Sequence, residues 1–216
     1  MKKKERFDAV IRWFEENRPI AETELHYGNP FELLVAVILS AQCTDKRVNQ
    51  ITPILFAQYP DEISLAKASV EDVFSIIRSC SYPNNKAKHL VGMAKMLHED
   101  FKGTVPSNIV ELQKMPGVGR KTANVIASVV FNKPAMAVDT HVFRVSARIG
   151  LTFAAKTPLE TEKQLIRYIP EDKIAIAHHW LILHGRYICL ARSPKCEVCG
   201  LKAWCKYYSR KNQSKG

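Results

Sequence analysis

Residues 112–124 read Leu112-Gln113-Lys114-Met115-Pro116-Gly117-Val118-Gly119-Arg120-Lys121-Thr122-Ala123-Asn124, and this stretch decides how the rest of the chain is read. A helix running to Met115 meets a proline that cannot extend it. Gly117 and Gly119 then allow a tight turn in which backbone can come close to a ligand. Ala123, Val125, Ile126 and Val129 follow at helical spacing as the inner face of a second helix. Two glycines at the mouth of a helix present backbone N–H groups and the positive dipole end, so the expected guest is an anion, phosphate above all. An ordinary helical corner closed by glycine would use the same residues, but the apolar spacing and the charge of the chain weigh against it.

Outward from this turn the periodicity is helical almost throughout. Phe7, Val10, Ile11 and Phe14 recur at i, i+3, i+4 and i+7, and Leu33, Val37 and Ile38 continue the rule after Pro30. Ser69 before Glu71 and Asp72, Ser107 after Pro106, and the capping box Thr157-Pro158-Leu159-Glu160 are expected helix starts. No stretch alternates with period two. An all-α protein of about ten helices in two subdomains is predicted, one of residues 23–134 and one of residues 1–22 with 135–216. The break falls near Phe131-Asn132-Lys133-Pro134, and residues 206–216 are expected to fray.

The 216 residues carry 32 Lys and Arg against 21 Asp and Glu, a net charge of +11. No apolar run reaches the roughly 18 residues that a membrane span needs. The basic start is followed by Asp8, Arg12, Glu15 and Glu16 rather than an apolar signal core. A cytoplasmic protein with a polyanionic partner is expected. Eight of the bases and one acid, Glu197, lie in residues 186–216, beside a second motif. There Cys189, Cys196, Cys199 and Cys205 are spaced C-x6-C-x2-C-x5-C, which suits structural zinc or a [4Fe–4S] cluster, with the spacing favouring the latter. Cys43 and Cys80 stand apart in helical sequence and read as core thiols.

Lys121 and Asp139 could carry chemistry. A lysine becomes a nucleophile only when it loses its proton, and a place in the first turn of a helix beside Arg120 favours that loss. Lys121 could equally contact a phosphate. Asp139, ahead of Thr140-His141-Val142-Phe143-Arg144, is by spacing a helix N-cap, yet an ionised carboxylate there can also accept a proton or stabilise a cationic sugar.

The segment Met115–Asn124, the run Val138-Asp139-Thr140-His141-Val142-Phe143-Arg144 and the four-cysteine spacing together resemble the endonuclease III family, DNA glycosylases of the helix-hairpin-helix superfamily. The likeness runs from Asn29-Pro30-Phe31 through Cys205. It implies a bifunctional glycosylase and abasic-site lyase that excises oxidised pyrimidines. In that family the lysine at the Lys121 position is the nucleophile, assisted by the aspartate at the Asp139 position, and the four cysteines hold a [4Fe–4S] cluster. Gln42 would enter the emptied stack when the base is extruded, and Ser40 and Asp45 would line the base pocket; Asp45 also reads as a cap. Gly117, Gly119, Arg120, Arg144, Arg192 and Lys195 would meet the DNA backbone. His141 would contact the strand or sit on the surface. The partner implied is double-stranded DNA carrying damaged pyrimidines or abasic sites, met by a monomer.

One segment departs from the pattern. Well-known members carry a leucine wedge in a Gly-Leu-Tyr turn, where this chain reads Cys80-Ser81-Tyr82-Pro83-Asn84-Asn85-Lys86. Tyr82 takes the wedge position and can stack on bases. Two other readings stay open: a monofunctional glycosylase of the adenine-specific type, and a non-catalytic iron–sulfur DNA-binding protein.

Overall fold

The computed structural model describes residues 1–213; residues 214–216, with Lys215 of the basic tail, lie outside the described residues. Twelve α-helices and three short 3₁₀ turns, with no strand, make up the described residues. The helices are α1 (Lys3–Asn17), α2 (Pro30–Ser40), α3 (Asp45–Gln58), α4 (Glu62–Ala66), α5 (Val70–Ile77), α6 (Pro83–Phe101), α7 (Ile109–Leu112), α8 (Arg120–Phe131), α9 (Thr140–Ile149), α10 (Pro158–Ile166), α11 (Ile174–Tyr187) and α12 (Lys206–Gln213). The chain divides into two units, Glu24–Phe131 and Met1–Thr23 with Asn132–Gly216.

In the unit Glu24–Phe131 the central element is α2. Asn29 caps it by accepting from the Glu32 N–H at 2.9 Å, and Pro30 takes the first helical position. Phe31 and every residue from Leu33 to Leu39 are buried, the all-round burial expected of a helix wrapped by others. It packs on α3, α6 and α8, while α4 and α5 pack on α6. Helix α6 also seats the glycine turn: a Cβ on its Gly92 would stand 3.2 Å from Pro116 Cγ, and one on Gly117 would stand 2.9 Å from His89 Cβ.

In the other unit, α1 lays Phe7, Val10, Ile11 and Phe14 into a core with Val142, Val145, Trp180 and Leu181. Phe14 and Trp180 stack at 5.4 Å and 4°, and the indole Nε1 of Trp180 donates to Arg18 O at 2.7 Å. His178 shares a 2.8 Å hydrogen bond with Ala137 O, fixing the segment that leads into Asp139.

Several local expectations shift. The helix before the glycine turn ends at Leu112, and Met115 is buried in the turn. Its cap is Asn108 rather than Ser107, because the Asn108 carboxamide reaches the N–H groups of Val110 and Glu111. Thr157 does cap α10, but Glu160 turns back to the N–H of Lys156, one residue before the expected partner. Residues 206–213 are helical rather than frayed.

Candidate nucleic-acid interface and metal centre

The glycine turn joins α7 to α8. Gly117 has φ +79°, and its missing Cβ makes room for His89, so conformation and packing both demand glycine. A Cβ at Gly119 would meet nothing within 4 Å. Here the open space lies outside the protein, at the mouth of α8, where the helical hydrogen bonds begin only with Ala123 N–H to Gly119 O at 2.9 Å. The N–H groups of the first turn have no partner within the helix and point out of its mouth. Arg120 and Lys121 are exposed there, and Ala123 to Ser128 are buried behind them.

A second pair of turns comes together in the same unit. The chain leaves α2 at Ser40, whose Oγ donates to Val37 O at 2.8 Å, and enters α3 through the Thr44 cap. Asp45, read as a cap, is therefore the first residue of α3, half-buried. Between them Gln42 is exposed in the left-handed region at φ 55°. Tyr82, 64% exposed, repeats that conformation at φ 55° just before Pro83 opens α6. The two turns are joined by Ser81 Oγ donating to Gln42 O at 2.6 Å. Beneath them Lys86, only 5% exposed, donates from Nζ to Leu39 O and Ala41 O at 2.7 Å each. This buried ammonium closes the C-terminal end of α2, and burial holds its pKa below the usual lysine value. Its role was not legible in the sequence, where a lysine in the first turn of a helix reads as solvated. Cys80 is a core thiol as expected, 4% exposed, whereas Cys43 is only half-buried; neither lies in a helix, both sit in these turns, and their sulfurs are 3.8 Å apart.

Asp139, His141, Arg144 and the four clustered cysteines belong to the other unit. Asp139 is half-buried and caps α9, Oδ1 accepting from Val142 N–H at 2.8 Å. Arg144 gives its donors to the protein itself: Nε to Cys189 O at 3.1 Å, Nη2 to Gly185 O at 2.9 Å, and Nη2 lies 3.1 Å from His141 Nδ1. It thus ties α9 to the end of α11 and orients the His141 ring. Arg148 acts alike on Leu190 O and Ala191 O, at 2.6 and 2.9 Å. The loop these arginines hold exposes Arg192 and Lys195 to solvent.

Cys189, Cys196, Cys199 and Cys205 line one recess with Ile149, His184, Leu201 and Tyr207. Burial first, and the neighbouring sulfurs after it, push the thiols of Cys199 and Cys205 up, so a thiolate at either position calls for a cationic partner. Four thiols around a common recess are a donor set that fits a [4Fe–4S] cluster. Arg148 Nη1 at 3.6 Å from Cys189 Sγ and His184 Nε2 at 3.5 Å from Cys199 Sγ supply polar contacts to its ligands.

Comparison with known proteins agrees with this geometry. Residues 35–171 match the family described as HhH-GPD superfamily base excision DNA repair protein, and residues 189–205 match the iron-sulfur binding domain of endonuclease III. Endonuclease III of Rickettsia felis is 47% identical over 202 residues, covering 94% of each chain. The chain belongs to the endonuclease III family. Endonuclease III of Bacillus subtilis is 48% identical over 198 residues, 92% of this chain and 90% of that one. A trapped endonuclease III–DNA covalent intermediate superposes with a TM-score of 0.92 at 42% identity, over 98% of this chain and 100% of that one. Like other endonuclease III enzymes, the protein is a base excision repair DNA N-glycosylase and abasic-site lyase that binds DNA and carries a [4Fe–4S] cluster. No helix of the described residues is long and apolar enough to cross a membrane.

Proposed function

We propose that the protein excises oxidised or ring-fragmented pyrimidines from duplex DNA through a Schiff base on Lys121, then cleaves 3′ to the abasic site by β-elimination. The observation that carries this reading is an exposed lysine amine in the first turn of α8, directly after an anion-binding glycine turn. A covalent DNA intermediate is named for a solved relative, which supports a covalent route here.

In this reading the glycine turn takes a DNA phosphate on backbone N–H groups, with Gly117 shaping the turn and Gly119 leaving room for the oxygen atoms. The target nucleotide leaves the stack at a cost of a few kcal/mol, Gln42 enters the gap, and Tyr82 stacks beside it. Ser40 and Asp45 line the pocket that receives the base. The neutral amine of Lys121 attacks C1′ as the base departs and takes up a proton. The sugar ring opens to an imine, a C2′ proton is removed, the 3′ phosphate leaves, and water releases the lysine. Asp139 keeps Oδ1 on its cap, so Oδ2 is the oxygen that accepts the amine proton or faces the cationic sugar. His141, held by Arg144, contacts the strand, while Arg120, Arg192 and Lys195 meet phosphates. The cluster is structural: bound by the four cysteines, it fixes the loop that carries Arg192. The enzyme works as a monomer in the cytoplasm, where thiolates persist.

Mixing the protein with duplex containing thymine glycol and then adding borohydride tests the reading. A covalent complex is expected with the native chain and none with Lys121→Gln. Base release without strand cleavage or trapping would assign the protein to a monofunctional route and overturn the role of Lys121.

A further inference from the structure

Two thiols that serve neither the cluster nor the lyase chemistry stand where the wedge turns meet. Cys43 follows Gln42, Cys80 precedes Ser81 and Tyr82, and their sulfurs are 3.8 Å apart. The turns that carry them are already joined by the Ser81–Gln42 hydrogen bond, and their floor is held by Lys86. Cys80 is 4% exposed, whereas Cys43 is half-buried and reachable. Lys86 and Arg47 lie close enough to favour a thiolate at Cys80, but burial and the Cys43 sulfur outweigh them and push the Cys80 thiol up to about 11. The reachable sulfur, Cys43, is therefore the first to react, and Cys80 is the partner that resolves the product.

We propose that Cys43 and Cys80 form an oxidation site for a peroxide, and that the resulting disulfide locks the Gln42 and Tyr82 turns out of the geometry that enters a duplex. The second half rests on the wedge roles given under the proposed function. In the first step the Cys43 thiolate attacks one peroxide oxygen. The O–O bond breaks, the departing hydroxide takes a proton to become water, and Cys43 becomes a sulfenic acid. In the second step Cys80 attacks the Cys43 sulfur while its proton passes to the leaving oxygen. The S–O bond breaks, the S–S bond forms and a second water departs. The two thiols together lose two electrons, and the peroxide is reduced to two waters. The sulfurs must close from 3.8 Å to about 2.05 Å. The neighbouring residues that take up this movement, Gln42 and Tyr82, already sit in the sparsely populated left-handed region.

Full-length protein with its cluster, held without air, is treated with stoichiometric hydrogen peroxide while visible absorbance follows the cluster. Alkylation, proteolysis and mass spectrometry then read the thiols, and anisotropy reads affinity for duplex containing a tetrahydrofuran abasic analogue. A linked Cys43–Cys80 peptide is expected, with affinity weakened about tenfold, the size of one lost stacking contact, and restored by dithiothreitol. Cys43→Ser and, separately, Cys80→Ala should keep their affinity through the same treatment. With cluster absorbance retained, absence of the linked peptide, or sulfenic acid on Cys43 alone, overturns the site. A linked peptide with unchanged affinity overturns the locking. The wedge reading is tested apart from both by Gln42→Ala with Tyr82→Ala in reduced protein, where unchanged affinity would refute it whatever the thiols do.

Discussion

A Cβ at Gly117 would collide with His89 on a backbone at φ +79°, whereas a Cβ at Gly119 would meet nothing within 4 Å. The two glycines of one turn therefore respond to different constraints. Gly117→Ala should destabilise the fold by about 1–2 kcal/mol from the left-handed backbone alone, read as a lower urea midpoint. Gly119→Ala should leave stability within about 0.5 kcal/mol and still weaken binding to undamaged duplex several-fold. Unchanged binding would mean that no phosphate occupies the space in front of Gly119. At the other turn, Tyr82→Ala should weaken affinity for an abasic analogue by the roughly 1–3 kcal/mol of a stacked base, about 5- to 150-fold. Tyr82→Leu restores the residue of better-known relatives and should bind more tightly than the alanine variant. Measuring both against each opposite base would show whether the ring sets that preference; equal affinities for Ala and Leu would remove Tyr82 from the wedge.

Elements whose apolar stripe is their whole signal were legible from the sequence: α1 and α2 form where Phe7, Val10, Ile11, Phe14, Leu33, Val37 and Ile38 place them. The same holds for the glycine turn and the cysteine run, because there residue type and spacing are themselves the chemistry. Legibility failed where a polar side chain finds its partner far along the chain. Nothing local distinguishes Lys86, which bonds carbonyls 47 and 45 residues away, or Arg144, which bonds Cys189 O 45 residues away, from solvated cations. Helix α11 offers a further case in His179, 9% exposed, which burial first and Arg186 second hold at a pKa of about 4. An unfolded chain titrates this ring near 6.5, so between those values it carries a proton that the native state lacks. Stability is therefore unaffected above about pH 6.5, falls as pH drops through the window, and has lost the full contribution below about 4, on the order of 3 kcal/mol at 1.36 kcal/mol per unit. Urea midpoints between pH 7 and 5, with cluster absorbance constant, should decline less steeply for His179→Gln than for the native chain. Parallel slopes would mean that His179 is protonated in the folded state.

At the scale of the whole molecule the charge of +11 overstates the cations available to DNA. Arg6, Lys86, Arg144 and Arg148 are held by the protein's own carbonyls, at Trp204 O, at Leu39 and Ala41 O, at Cys189 and Gly185 O, and at Leu190 and Ala191 O. These side chains brace the protein's own backbone. The proposed phosphate contacts reduce to Arg120, Arg192 and Lys195, all exposed. Each neutralised phosphate releases counterions worth about −0.9 in the slope of log affinity against log salt, so three contacts predict a slope of about −2.7 on undamaged duplex, far shallower than the formal charge would suggest. Arg192→Ala and Lys195→Ala should each make that slope shallower by about 1 without changing the thermal midpoint. Arg144→Ala should do the reverse, loosening the segment at Cys189 so that the midpoint and iron content fall while the slope holds. Fluorescence titrations from about 50 to 200 mM salt resolve these slopes. If neither Arg192→Ala nor Lys195→Ala altered the slope, the loop fixed by the cluster would not face DNA, and the excess positive charge would have to act through another surface.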